Sequence, residues 1–194
     1  MLRPGRTVDP GPLLDFAEVK RQLRIDTADD DALVTSLIGA AVSYLDGWAG
    51  ILGRALVTQT WAQSFSCFSG AGIMRLPLAP VQSIASITYR DSDDVEQVLA
   101  GSDYLLLADD LGDYVARPRD VSWPSTYSRA DAVTIAFLAG YGDADAVPAA
   151  IKHAALLMIG VWYETRESVV IGQSAVDVPY GANVLLAPFR RTKF

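Results

Sequence analysis

A single cysteine, Cys67, in a chain of 194 residues excludes an internal disulfide. With no second cysteine, the thiol completes neither a metal nor a redox motif, and a structural role is expected. Histidine is equally scarce, and His153 is the one candidate for any imidazole chemistry. It falls within a helical pattern and has no Glu or His three or four residues on, which favours a surface or partly packed position. No G-x-S-x-G elbow accompanies it, so Ser/His/Asp catalysis has no support. Gly47, Gly50 and Gly53 follow a helical pattern, whereas a phosphate-cradling loop follows a strand and opens a helix. Basic residues are in deficit, 16 Lys and Arg against 23 Asp and Glu, for a net charge of −7. That balance argues against a surface that binds duplex DNA by neutralising many phosphates. The longest nearly apolar runs, around 132–141 and 154–163, fall well short of the roughly 20 residues of a membrane-spanning helix. Basic residues at the start are followed by Pro and Asp rather than an apolar stretch, so no secretory signal is visible and cytoplasmic synthesis is expected.

Hydrophobic residues at 51% and charged residues at 20% predict a packed core, in one domain or a domain with a sizeable insertion. Residues 1–12 hold three prolines and two glycines, which predicts an extended arm outside the core. Asp15 is placed to cap a short helix through Arg24, with Phe16, Val19 and Leu23 on one stripe. Thr27 with Asp30 three residues on predicts the cap of a second, longer helix, and Asp29, Asp30 and Asp31 complement its dipole. Leu33, Val34, Leu37, Ile38, Ala41, Val42, Leu45 and Trp48 then recur at helical spacing for nearly 20 residues. Ser36, Gly39, Ala40, Ser43 and Gly47 form a stripe of small residues that would let another backbone approach closely, either within the chain or from a second subunit.

From Ala55 the period changes to alternation. Strands are expected over 56–65, 73–78, 81–90, 95–99, 104–107, 114–117 and 132–138, separated by Gly- and Asp-rich turns. Such short, closely spaced strands predict an antiparallel module. Helical spacing returns with Pro148 at a first helical position and Ile151, Ala155, Met158, Ile159 and Trp162 on one face, ending near Arg166. A loop or hairpin over 172–179, a short helix over 181–187 stopped by Pro188, and a basic tail of Arg190, Arg191 and Lys193 complete the chain. The expected fold is α+β. A helical core from 1–54 and 141–194 carries a β-rich insertion over 55–140, in one structural unit overall.

The acidic clusters at 29–31, 91–94 and 109–113 offer hard oxygen ligands, but none has EF-hand spacing. They read as a helix start and as hairpin turns, and no metal or cofactor is expected. Trp61, Trp123 and Tyr127 could form a stacking surface for a small hydrolase or a carbohydrate-binding module, or simply belong to the core.

Two stretches go further. Val19-Lys-Arg-Gln-Leu-Arg-Ile-Asp26, with Asp30-Asp-Ala-Leu33, Leu37-Ile38, Ala40-Ala41 and Tyr44, resembles the N-terminal signature of the tailed-phage head–tail connector (adaptor) family. Val147-Pro-Ala-Ala-Ile-Lys152, Ala154-Ala155, Tyr163-Glu164, Arg166-Glu167, Val178-Pro-Tyr-Gly181, Leu185-Leu186 and Pro188-Phe-Arg190 are similar to its C-terminal helix and tail. The resemblance implies a non-enzymatic ring, usually of twelve subunits, between the portal and a tail-side stopper or terminator protein. Longer connectors with a β insertion occur in phages, prophages and gene transfer agents. DNA would pass through the lumen without sequence-specific contact, and a negative net charge suits a channel in which it must slide. The location implied is the head–tail junction of a virion or phage-like particle assembled in the bacterial cytoplasm. Phe189, Arg190, Arg191 and Phe194 offer aromatic anchors and bidentate donors for docking on the portal. The small-residue stripe would pack subunits together, and no membrane partner is expected.

Overall fold

Asp15 begins the helical part of the chain as its chemistry dictates: its carboxylate accepts the Glu18 N–H at 3.1 Å and caps α1 (Phe16–Leu23). The computed structural model describes residues 2–165 and 179–191, which form two units. A helical unit takes residues 11–57 and 142–191, and a strand unit takes the N-terminal ten residues and 58–141. The combination of helices with antiparallel sheets is the α+β class expected from the sequence.

In the helical unit, Arg24 adopts a left-handed conformation, φ 57°, and ends α1. Helix α2 (Asp31–Leu45) then starts without the expected Thr27 cap, and no side chain caps it. Tertiary contacts take the polar groups instead. Asp30 accepts the Tyr163 hydroxyl at 2.5 Å, while Lys20 Nζ donates to the Thr27 carbonyl and to Asp31 Oδ1, both at 2.6 Å. The helix also stops at Leu45, short of the Trp48 that periodicity predicts. Asp46 turns extended, and its buried carboxylate accepts the Leu56 N–H at 2.8 Å. Gly47 N–H donates to Arg54 O at 2.7 Å, and Ile51 N–H to Tyr44 O at 2.8 Å, so residues 46–57 fold back on the end of α2. Gly50 is required there, because a Cβ would lie 2.5 Å from the Leu45 and Asp46 backbone.

Helix α3 (Ala149–Glu164) has Pro148 at its N-cap, one position earlier than expected. Ile151, Ala155, Met158 and Ile159 are buried as their spacing predicts, and Trp162 is half-buried. Helices α2 and α4 (Tyr180–Leu186) pack on α3. Pro188 does not end the last helix abruptly, because the chain continues through it in a 3-10 turn, Ala187–Phe189. Most of the loop expected over 172–179 lies outside the described residues.

The strand unit holds β1 (Gly5–Val8), β2 (Gln59–Phe65), β3 (Ile73–Arg75), β4 (Val81–Arg90), β5 (Glu96–Val98), β6 (Leu105–Asp109), β7 (Gly112–Ala116) and β8 (Val133–Ala139). Two antiparallel sheets result, β1-β2-β8-β4-β5 and β3-β7-β6. β8 is central, and its Val133, Ile135, Phe137 and Ala139 are all buried on alternate positions. Residues 5–8 are extended and exposed, outside the core as expected of an arm, but they are ordered by pairing with β2. The prolines flank this segment rather than interrupt it, so its amides remain able to join the ladder. Arg6 lies over the Trp61 ring at 5.1 Å, and Leu2 N–H donates to Ser64 O at 3.0 Å.

In the smaller sheet, register places Met74, Val115 and Leu106 on one face and Arg75, Tyr114 and Leu107 on the other. Met74 and Val115 are buried. Across the second face Arg75 grips Asp109 with both terminal nitrogens, at 2.9 and 2.7 Å, and its guanidinium sits 5.4 Å from the Tyr114 ring centre. This hydrogen-bonded pairing holds the Asp109 carboxyl down at about 2, against desolvation that raises it.

Replacing Asp46 by Ala orphans the buried Leu56 N–H. It is expected to destabilise the protein by about 1–3 kcal/mol in denaturant titration, with Glu18→Ala on an exposed face as a near-neutral control. Because the folded-state pKa of Asp109 is depressed, the stability it contributes is present above about pH 4 and is lost as pH falls through about 2. The side-chain carboxyl resonance of Asp109 should therefore titrate near 2 and return towards the ordinary carboxylate range in Arg75→Gln.

Candidate interaction surfaces

Apart from Asp31 at its start, α2 carries no charged residue. Val34, Ala41 and Leu45 are buried, whereas Ser36, Gly39, Ala40 and Ser43 are exposed along one strip of the opposite face, bordered by Thr35 and Tyr44. A helix apolar or small on every side normally has every side covered. Gly39 makes the point at one position. A Cβ there would meet nothing within 4 Å, so packing within the chain does not require a glycine. A mid-helix glycine nevertheless costs roughly 0.5–1 kcal/mol relative to alanine. Gly47, placed by sequence in the same stripe, is not part of it: it lies beyond the helix end, is buried, and has φ 78°.

The C-terminal residues are tied to the loop that follows α2. Arg54 Nε donates to the Phe189 carbonyl at 2.7 Å, and Arg191 N–H donates to Leu52 O at 3.1 Å. Arg190 is exposed and its Nη2 reaches Asn183 Oδ1 at 2.7 Å. Phe189 and Arg191 are half-buried, and Phe194 lies outside the described residues. Arg54 escapes a reading of sequence alone. It belongs to no motif, and its partner is a backbone carbonyl 135 positions away.

Elsewhere the chemistry is modest. His153 is exposed on α3. Cys67, expected to be structural, is exposed and borders a cavity of about 540 Å³ with Ser66, Tyr127, Ser128 and Arg129. Arg129 there is held by Asp131 at 2.6 and 2.8 Å, with Asp94 at 3.4 Å, which raises the guanidinium pKa further. Among the described residues no cluster of three His, Cys, Asp or Glu could hold a metal ion. The Asp91 and Asp109 clusters are hairpin turns, as their spacing predicts. Asp91 Oδ1 accepts the Asp93 and Val95 amides, and Asp109 Oδ1 accepts that of Leu111. A hydrogen bond from Gln97 leads the causes that lower the Asp91 pKa. Nor do the three aromatics share a stacking surface. Trp61 is buried with Nε1 on Gln59, Trp123 stacks on Phe68 with centroids 4.8 Å apart, and Tyr127 alone is exposed. No helix among the described residues is long and apolar enough to cross a membrane.

The model of the phage gp6-like head–tail connector family matches residues 14–95. No curated protein is similar enough in sequence to match. Among solved structures, a chain in the neck of an empty gene transfer agent particle, determined with C6 symmetry, superposes with a TM-score of 0.79 at 22% identity. A chain in the virion of a native gene transfer agent particle gives 0.76 at 22%, and one in a native neck determined with C12 symmetry gives 0.70 at 21%. Each match covers 100% of this chain and 97% of the other. The resemblance drawn from residues 19–44 thus falls where the family model matches, and the chain over its full length has the fold of a chain found in gene transfer agent necks.

Proposed function

We propose that the protein is a structural, non-enzymatic head–tail connector that forms a ring at the neck of a tailed-phage-like particle. The observation that carries this reading is the end-to-end likeness to a gene transfer agent neck chain, joined to the connector-family match over residues 14–95. Twelve copies accord with the C12 symmetry of one matched neck. The ring would lie between the portal and a stopper or terminator on the tail side, with DNA crossing its lumen. Acidic excess favours that passage, because few basic contacts would retain the duplex. No observation favours the hydrolase or carbohydrate-binding alternative.

The exposed strip Ser36, Gly39, Ala40 and Ser43 is the surface we assign to subunit packing. Its glycine, costly and unneeded within the chain, gains a purpose where a neighbouring backbone approaches. The tail is assigned to the portal. Arg190 is its exposed donor, with Phe189, Arg191 and Phe194 beside it in sequence, and the Arg54 bond to Phe189 fixes the geometry from which it starts.

Particles from a strain lacking the gene should appear in negative stain as tailless heads beside free tails, and intact particles in normal number would overturn the connector reading. Gly39→Ala should raise the stability of the isolated chain by about 0.5–1 kcal/mol, whereas Gly39→Leu should abolish ring assembly without unfolding it. Truncation after Pro188 should leave rings intact but remove portal binding, and unchanged binding would refute the tail assignment.

A further inference from the structure

The five-stranded sheet ends in two strands of opposite character, β1 at one edge and β5 at the other. Open sheet edges are templates for pairing, and proteins usually guard them with lysine, proline or a covering segment. Both strands are short and carry a charge, and β1 has a bulge between Arg6 and Val8, which limits indiscriminate pairing; each nevertheless carries or adjoins an exposed β-branched side chain. Val8 is 57% exposed on β1, while Val98 and Val95 are 70% and 53% exposed on and beside β5. The charges are complementary. Arg3 and Arg6 stand at the β1 edge, whereas Asp91, Asp93, Asp94 and Glu96 crowd the β4–β5 turn and outnumber the nearby Arg90 and Arg129.

From this juxtaposition we infer that the β1 edge of one copy docks against the β5 edge of the next, extending the sheet from subunit to subunit. The inference rests on the ring reading above and adds a second contact to it. A second copy is the occupant because each edge supplies what the other needs: an apolar valine, and charge of the opposite sign. Docking would require two exposed ion pairs to exchange, while Arg6 keeps its place over the Trp61 ring. Arg6–Asp9 spans 3.6 Å with Asp9 almost fully exposed, and Arg90–Glu96 spans 3.4 Å with Glu96 largely exposed, and such pairs are worth little and exchange readily. The two edges differ in sequence, so the contact is head-to-tail, the kind that closes a ring rather than stopping at a dimer. Strands of four and three residues offer few backbone bonds, so a lone pair of subunits is held weakly and closure supplies the rest.

The test uses whole particles carrying Val8→Cys with Val98→Cys in a Cys67→Ser background, treated with a short bismaleimide. The expected result is a ladder of covalent multimers, with no cross-link when either new cysteine is present alone. A neck ring visible by microscopy but no ladder overturns this inference and leaves the connector reading standing. Dimers from a single cysteine would mean a symmetric contact and would also overturn it. Loss of every neck ring from normally joined particles defeats the connector reading itself. As a second measurement, Arg6→Glu and Glu96→Lys should each lower the fraction of chain in rings about tenfold or more, since like charges then face each other, and the double variant should restore it. Two single reversals without effect would refute the docking.

Discussion

The end of α2 is the constraint on which the helical unit depends. Asp46 leaves the helix, spends its buried carboxylate on the Leu56 amide, and so turns residues 46–57 back over the last turn. Gly50 permits the close approach that this reversal demands. The returning loop then provides the two groups that hold the far end of the chain, the Leu52 carbonyl and the Arg54 guanidinium. Removal of the Asp46 carboxylate therefore reaches the tail through the Leu52 carbonyl and the Arg54 guanidinium, which meet backbone groups at Arg191 and Phe189.

The strand unit obeys a different rule. Its larger sheet is organised by β8, whose alternating buried residues are flanked by β2 in unbroken antiparallel register on one side and on the other by β4, whose register shifts between Val81 and Ser83 and between Ile84 and Ser86. Some polar groups inside this layer are matched, although the buried Gln63 Oε1 has no partner among the described residues. Gln63 donates to the Leu2 and Ser64 carbonyls, and Gln59 receives the Trp61 indole N–H. These glutamines belong to the sheet face that buries Trp61, and they make β1 more than an ornament, since Gln63 would lose one of its acceptors without it.

Much of this was legible in the residues. Alternation located every strand from β2 to β8 to within a few positions, and Asp15 marked its helix because an N-cap is a local interaction. The misses share a cause. Thr27 matched a cap pattern, yet Asp30 and Asp31 were claimed by Tyr163 and Lys20, partners that no short window contains. Trp48 continued the helical period in composition but not in space, because Asp46 bonds the Leu56 amide ten residues on and Gly50 folds back against the Leu45 and Asp46 backbone. The arm at residues 5–8 looked aperiodic and proline-rich, and its order comes from β2, more than fifty positions away. Of the surfaces we propose for interaction, the α2 strip followed from spacing, apart from Gly47, whereas Arg54 and the sheet edges depend on topology and left no trace in composition.

The order in which the two units close has a consequence for biosynthesis. All the strands have been made once β8 has emerged, but α1 and α2 must wait for α3, residues 149–164, before their apolar faces are covered. At ordinary elongation rates of about 5–20 residues per second, the stretch from the end of β8 to the end of α3 takes a few seconds, long compared with helix formation and with collapse. A nascent chain paused there displays α2, which carries no charge beyond Asp31, before α3 has covered it. The scarcity of charge on α2 thus makes this stage of synthesis the one at which the chain most needs shielding from its own copies on neighbouring ribosomes.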